Sequence, residues 1–96
     1  MHSTVKHFGN LVTHMEINAA QCRMARAALQ LGIRDVATLA QVSPNTIARL
    51  ERGEGLLPRT VGIVRTALET AGVEFIAENG GGPGVRLRAP SEQSKV

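Results

Sequence analysis

The chain has 96 residues, a length typical of one small domain. Its hydrophobic fraction is 43%, with two Phe, no Trp and no Tyr, so aliphatic side chains must supply most of the core. No apolar run approaches the roughly 18 residues that a membrane-spanning helix needs, and the first residues lack the apolar segment of a secretory signal. The single cysteine, Cys22, excludes an internal disulfide, so we expect a reducing, cytoplasmic location.

The net charge of +3 is unevenly distributed along the chain. Residues 23–65 contain seven arginines and three acidic residues, whereas residues 66–78 contain three glutamates and no basic residue. Guanidinium groups suit phosphates and guanine edges, so the central segment is a candidate for nucleic-acid binding. An ordinary solvated helix face would have the same composition, and charge alone does not decide between the two.

The first part of the chain gives no indication of a metal site or of catalysis. Residues 1–15 are predicted to form a flexible arm, and the spacing of His2, His7 and His14 fits no metal site. Cys22 has no histidine in register to activate it as a nucleophile. We therefore expect no enzyme activity, no metal and no cofactor.

Hydrophobic spacing predicts four helices within residues 16–72. The first runs from about Asn18, a favourable N-cap, to Leu31 and ends at Gly32. Its predicted inner stripe consists of Ile17, Ala20, Met24, Ala27, Ala28 and Leu31. The second runs from about Ile33 to Ala40, and its predicted inner residues are Val36, Leu39 and Ala40.

The third helix begins at the N-cap Ser43, with Pro44 at the first helical position, and runs to about Arg52. Ile47 and Leu50 form its inner face. The fourth helix runs from about Pro58 to Ala71, before Gly72, and its predicted buried stripe consists of Val61, Val64, Ala67, Leu68 and Ala71.

After Gly72 the hydrophobic period changes from that of a helix to that of a strand. Residues 73–78 and 85–88 alternate apolar and polar side chains around a glycine-rich loop at 79–84, which predicts a β-hairpin. Residues 89–96 read as a disordered tail. The predicted fold is therefore mainly α, four helices with a C-terminal β-hairpin.

The two short central helices form a predicted helix-turn-helix, with Ala37 as the small residue where they cross. Here the sequence resembles the lambda-repressor/Cro-like (XRE) helix-turn-helix family. The resemblance covers residues 19–72 and is carried by Leu39-Ala40, Val42-Ser43, Thr46-Ile47 and Arg49-Leu50-Glu51-Arg52-Gly53.

This resemblance implies a role for each matching residue. Ser43, Pro44, Asn45 and Arg49 match positions that read base edges, and Thr46 beside them would contact a phosphate or a thymine. Arg59 matches a position that contacts the DNA backbone. Arg34 and Arg52 are phosphate-contact candidates on charge and location alone. Arg26 and Glu51 match a structural ion pair between the first and third helices.

The sequence departs from the family pattern at three places. Gln41 occupies the turn where the family usually has glycine, so it must adopt the left-handed conformation at about 1 kcal/mol. Ile33 stands where a phosphate-binding glutamine is usual. Leu56 and Leu57 replace often-basic linker residues, and they either form a partner surface or fold back over the core.

These features predict a cytoplasmic, nucleoid-associated regulator of bacterial or phage type that binds double-stranded DNA, with repression the expected sign. One half-site reader of this size would bind weakly, so we expect a homodimer on an inverted repeat. The hairpin is the predicted dimer seam, where Arg86 and Arg88 would meet Glu74 and Glu78 of the second copy. The alternative is a protein-interaction module, an antitoxin or antiactivator, that uses Leu56, Leu57 and the hairpin.

Overall fold

The computed structural model describes residues 16–88 as four helices followed by a two-stranded antiparallel hairpin. The elements are α1 (Ala19–Leu29), α2 (Ile33–Ala40), α3 (Pro44–Glu51), α4 (Pro58–Ala71), β1 (Val73–Ile76) and β2 (Gly84–Leu87). The mainly helical fold with a C-terminal hairpin is confirmed. The arm predicted for residues 1–15, with its histidines, and the tail predicted for residues 89–96 lie outside the described residues. Within residues 16–88, no helix is both long and apolar enough to cross a membrane.

Side-chain caps fix where α1 and α3 begin. Asn18 Oδ1 accepts the N–H of Gln21 at 2.8 Å, and Gln21 Oε1 accepts the N–H of Asn18 at 3.0 Å. Ser43 Oγ accepts the N–H of Thr46 at 3.2 Å, and Pro44 follows at the first helical position. Both predicted N-caps are confirmed, because each side chain satisfies an N–H group that has no partner inside its helix.

Two glutamines end helices in the left-handed conformation that glycine usually supplies. Gln41 closes α2 with φ 59°, as the sequence required in the absence of a turn glycine. Gln30 closes α1 with φ 60°, so the prediction that Gly32 ends this helix was wrong. Gly32 instead precedes α2, where its N–H donates to Asp35 Oδ2 at 2.8 Å.

The core is aliphatic, as the composition predicted. Its buried residues are Ile17, Cys22, Ala25, Val36, Ala37, Ala40, Ile47, Leu50, Val61, Val64, Leu68 and Val73. They come from all four helices and from β1, so the hairpin is part of the same packed body. Ala37 is buried where α2 packs against α3 and α4.

The predicted inner face of α1 was wrong within the helix, although Ile17 before it is buried and Leu31 after it packs against the core, as predicted. Met24, Ala27 and Ala28 are exposed, and the buried residues of this helix are Gln21, Cys22 and Ala25. The helix is turned in this way because it packs against both α3 and the hairpin. Alanine buries too little apolar area to fix a helix face by itself.

Smaller corrections apply to α2 and α4. Leu39 is half-exposed rather than inward-facing, and Ala71 is exposed beyond the buried stripe of α4. Val61, Val64 and Leu68 are buried as predicted, and Ala67 packs partly buried against them. Leu39 lies off the inner face of α2 because Val36, Ala37 and Ala40 occupy it.

The hairpin is shorter than predicted: β1 ends at Ile76, and β2 begins at Gly84 directly opposite it. Glu74 faces Arg86 in this register, and Arg86 Nε lies 3.1 Å from Glu74 Oε1. Arg86 therefore pairs inside its own hairpin, and the predicted contact between Arg86 and Glu74 of a second copy stays a prediction. Cross-strand pairs of opposite charge stabilise such a ribbon locally.

Candidate nucleic-acid interface

Helix α3 is buried on one side and open on the other. Ile47 and Leu50 face the core, whereas Ser43, Pro44 and Asn45 at its N-terminal end are exposed. The inner side chains hold the helix in place, and its first turn protrudes from the body. Such an arrangement can present short polar side chains to a groove.

The two hydroxyls of the first turn are engaged with each other. Ser43 Oγ lies 3.0 Å from Thr46 Oγ1 and also accepts the N–H of Thr46. Ser43 is therefore first of all a helix cap. The amide of Asn45, by contrast, makes no hydrogen bond to any residue in 16–88, so its donor and its acceptor both face solvent.

At the other end of α3, two arginines converge on one carboxylate. Arg49 Nε lies 3.0 Å from Glu54 Oε1, and Arg52 Nε lies 2.9 Å from Glu54 Oε2. The Glu54 N–H also donates to the carbonyl of Arg49 at 3.1 Å. All three side chains remain accessible to solvent. The hydrogen bonds from Arg49 and then Arg52 lower the pKa of the Glu54 carboxyl, so it is ionised at neutral pH.

The sequence reasoning missed Glu54. The chain turns at Gly53, which has φ 83°, and this turn brings the carboxylate back beside α3. An acidic residue shortly after Arg-Leu-Glu-Arg-Gly was the available signal. Its pairing depends on the turn, which the residue types alone did not specify.

The other two predicted phosphate contacts lie on different helices. Arg34 is exposed in the first turn of α2, and Arg59 is exposed in the first turn of α4. Neither forms an ion pair with another residue of the described part of the chain. Their charges are therefore not neutralised locally, unlike those of Arg49 and Arg52.

The last residue of α3, Glu51, is held by α1. Arg26 Nε lies 2.7 Å from Glu51 Oε2, and Arg26 Nη2 lies 2.9 Å from Glu51 Oε1, a two-pronged ion pair. The side chains are 25% and 8% exposed, respectively. Arg26 also donates to the carbonyl of Leu31, and Arg23 donates to the backbone carbonyl of Glu51. This network fixes α3 relative to α1. Because Arg26 is engaged in it, Arg26 is not among the exposed arginines that could contact DNA.

Burial and pairing shift three pKa values in this network. Burial raises the pKa of the Cys22 thiol to about 12, with help from the charge of Glu51 and the bond to it, so Cys22 stays protonated. Its Sγ donates to Glu51 Oε2 at 3.4 Å. Burial alone would raise the pKa of Glu51, but the bonds from Arg26 and Cys22 and the charges of Arg26 and Arg23 lower it overall. The bond to Glu51 raises the pKa of Arg26. A thiol held protonated is a poor redox sensor.

The two linker leucines behave differently. Leu56 is partly buried against the core, whereas Leu57 is 72% exposed. Beyond them, a mostly apolar groove runs between the C-terminal end of α2 and α4. Its lining includes Leu39, Gln41, Arg59, Ile63 and Thr66. Leu56 therefore folds back over the core, whereas Leu57 is exposed and could contact a partner.

Two further searches gave no match. Among residues 16–88, no three His, Cys, Asp or Glu side chains converge as metal ligands would. The sequence matches no known protein-family model and no curated protein.

Proposed function

We propose that this protein is a sequence-specific, double-stranded DNA-binding transcriptional regulator of the lambda-repressor/Cro-like (XRE) helix-turn-helix type, with α3 as its recognition helix. One observation carries the proposal. A helix buried on one side and anchored at its C-terminus by Arg26 and Glu51 presents outward an accessible arginine and an asparagine amide that bonds to no other residue in 16–88.

The base-reading roles follow from side-chain chemistry. Asn45 and Arg49 are four residues apart, so they lie on one face of the helix. An asparagine amide matches adenine N6 and N7, and a guanidinium matches guanine O6 and N7. Ser43 and Thr46 contribute the remaining hydroxyl groups of that end, and Pro44 adds an apolar surface beside them.

The phosphate roles belong to Arg34, Arg52 and Arg59. Arg34 and Arg59 carry positive charge that no described acidic residue neutralises, and each lies in the first turn of a helix. Helix N-termini favour anions, so arginines at these positions suit contacts with DNA phosphates. Binding through them should weaken steeply as salt rises.

The proposal predicts that Arg49→Ala weakens recognition of the DNA sequence that the wild-type protein selects. The wild-type protein, mixed with sheared genomic DNA at about 150 mM salt, should recover a specific sequence, because nonspecific binding is weak at that salt. Arg49→Ala should bind that sequence about 10- to 100-fold more weakly, as expected for the loss of one two-pronged base contact. Fluorescence anisotropy with the recovered sequence measures both affinities.

Arg65→Ala is the matched control, since it also removes an arginine paired with a glutamate, but from α4 and outside the proposed dimer seam. It should bind the recovered sequence like the wild type. Recovery of uniform genomic background by the wild-type protein would refute the proposal. Equal losses in the two variants would show a general charge effect rather than base reading.

We also propose that the regulator acts as a repressor and binds as a homodimer on an inverted repeat. The hairpin has two strands, so within the described residues each strand keeps one unpaired edge. On β2, Leu87 is 53% exposed beside such an edge, and an exposed apolar edge favours pairing with another chain.

This dimer predicts that light scattering gives the mass of two chains bound to DNA at micromolar protein concentration. Leu87→Asp should shift the equilibrium toward one chain by placing like charges at the seam. Ile63→Asp, which changes an exposed apolar residue of α4 outside the hairpin, serves as the control. A wild-type mass of one chain on DNA would contradict the dimer, and an unaffected Leu87→Asp dimer would place the seam elsewhere.

A second candidate function is a protein-interaction module, an antitoxin or antiactivator. The exposed Leu57 and the apolar groove along α4 favour it, because exposed apolar surface commonly marks partner sites. The Arg49→Ala variant separates the two functions. It should lose operator binding as a regulator, but it would keep full activity as an interaction module.

A further inference from the structure

We propose that Glu54 is a specificity-determining residue, which positions Arg49 for base reading and restrains the attraction of α3 for any DNA backbone. The inference deepens the proposed function and rests on it. The observation behind it is the convergence of Arg49 and Arg52 on the two separate oxygens of this one carboxylate.

The contact with Glu54 leaves the two Nη groups of Arg49 available for DNA. Glu54 Oε1 binds Arg49 through Nε, and no hydrogen bond to either Nη occurs within residues 16–88. A guanidinium has five N–H donors in a rigid fork, so a carboxylate at Nε fixes its plane and leaves both Nη groups available. Guanine O6 and N7 accept from such a pair of donors. Glu54 therefore orders the side chain before DNA arrives.

The local charge supplies the second half of the argument. Arg49 and Arg52 alone would carry two positive charges at the end of α3, and Glu54 reduces this to one. Phosphates attract arginines regardless of sequence, so partial neutralisation lowers nonspecific binding. A guanine edge with correctly placed acceptors can bind the Nη end of Arg49 without displacing Glu54.

Arg52 and the backbone hold Glu54 in place. Arg52 Nε binds Oε2, and the N–H of Glu54 donates to the carbonyl of Arg49. The carboxylate is thereby fixed at both its backbone and its side chain. An arginine ordered in this way loses less conformational freedom on binding than one that is free in solution.

The test uses Glu54→Gln with Glu69→Gln as its control. Both changes remove one accessible glutamate that pairs with arginine, but Glu69 pairs with Arg65 on α4, outside the proposed dimer seam. Affinities are measured for the selected sequence, for a scrambled sequence and for the selected sequence with its Arg49-dependent guanine replaced. Arg49→Ala identifies that guanine, because replacing it changes the affinity of this variant least.

Glu54→Gln should bind scrambled DNA more tightly than the wild type, with a salt slope steeper by up to about 0.9. Its ratio of selected to scrambled affinity should fall at least about threefold, and the penalty for replacing the guanine should shrink by a similar factor. Glu69→Gln should change neither the ratio nor the guanine penalty. Circular dichroism and urea unfolding verify that both variants are folded.

The outcomes separate the inference from the proposed function. A wild-type protein that selects no DNA sequence refutes the proposed function, and this inference with it. A wild-type protein that selects DNA, together with an unchanged guanine penalty in Glu54→Gln, overturns the inference alone. A steeper salt slope with an unchanged affinity ratio also overturns it, because Glu54 would then act as a bulk charge only.

Discussion

Replacing Arg26 with methionine is expected to lower the free energy of unfolding by about 3 kcal/mol at neutral pH. The change leaves the Glu51 carboxylate, which is 8% exposed, without its two-pronged partner. Methionine fills much of the same volume as arginine. The loss of unfolding free energy therefore reflects the unpaired Glu51 carboxylate rather than a cavity. Urea denaturation followed by circular dichroism measures it.

The effect must depend on pH in a defined direction. The pKa of Glu51 is lowered in the folded protein, so its pairing stabilises the fold above the unfolded value of about 4.3. That contribution is lost as pH falls through the lowered folded pKa. The stability difference between wild type and Arg26→Met should therefore be largest at neutral pH and narrow in acid, where the carboxyl is protonated in both.

The double variant Arg26→Met, Glu51→Leu provides the control. Replacing both partners removes the stranded charge, so this protein should recover most of the stability that Arg26→Met loses. Cys22 would then lose the acceptor for its weak S–H bond, which is a small effect. The prediction is wrong if Arg26→Met is as stable as the wild type. It is also wrong if the stability difference between the two proteins stays constant as the pH falls into the acid range.

The helical framework was predictable because its signals are local. Asn18 and Ser43 cap helices through bonds to residues three positions away, and Pro44 and Pro58 stand at first helical positions. Short-range chemistry of this kind is fully contained in the sequence. The left-handed turn at Gln41 was predictable for the same reason, since the following helix leaves the chain little choice of conformation.

The face of α1 was not predictable because long-range contacts determine it. Gln21 is buried only because carbonyls of Ile76 and Gly84, more than 50 residues away, accept its amide hydrogens. An apolar pattern could not identify a polar residue as the inward one. Glu54 shows the same limit at short range, since its role depends on the turn at Gly53 rather than on residue type.

The exposed end of α3 is intermediate between these cases. Its residues were predicted to be outward, and Ser43, Pro44 and Asn45 are exposed. The sequence did not reveal that the hydroxyls of Ser43 and Thr46 bond to each other, whereas the Asn45 amide bonds to no other residue in 16–88. This difference depends on side-chain geometry. Because of it, Asn45 is a stronger candidate than Ser43 for hydrogen bonds to a base edge.

Replacing Gln21 with leucine is expected to lower the free energy of unfolding by about 3 kcal/mol, because it removes three hydrogen bonds made by one buried side chain. The Gln21 side chain is 4% exposed, and it accepts from Asn18 N–H and donates to the carbonyls of Ile76 and Gly84, both at 3.1 Å. It joins the start of α1 to the loop end of the hairpin. Hydrogen exchange should show the hairpin amides losing protection before those of α4.

Gln21→Glu tests these hydrogen bonds more specifically than Gln21→Leu does. It keeps the shape of the side chain and replaces only the amide NH2 group by an oxygen. At neutral pH a carboxylate oxygen would face two carbonyl oxygens, so the loss should exceed that of Gln21→Leu. Burial and the carbonyls raise the pKa of this new carboxyl, so the extra loss is present above that pKa and disappears as pH falls through it. Once protonated, the carboxyl can donate to one carbonyl again.

Asn18→Ala separates the cap from the hairpin anchor. It removes the bond to the Gln21 N–H but leaves both hairpin carbonyls paired, so it should lower stability by about 1 kcal/mol with no added pH dependence. If Gln21→Leu matched Asn18→Ala in stability and in hairpin exchange, the bonds to Ile76 and Gly84 would contribute nothing. If Gln21→Leu instead frees the hairpin and also reduces the two-chain mass on DNA, one buried glutamine connects the helical body to the proposed dimer seam.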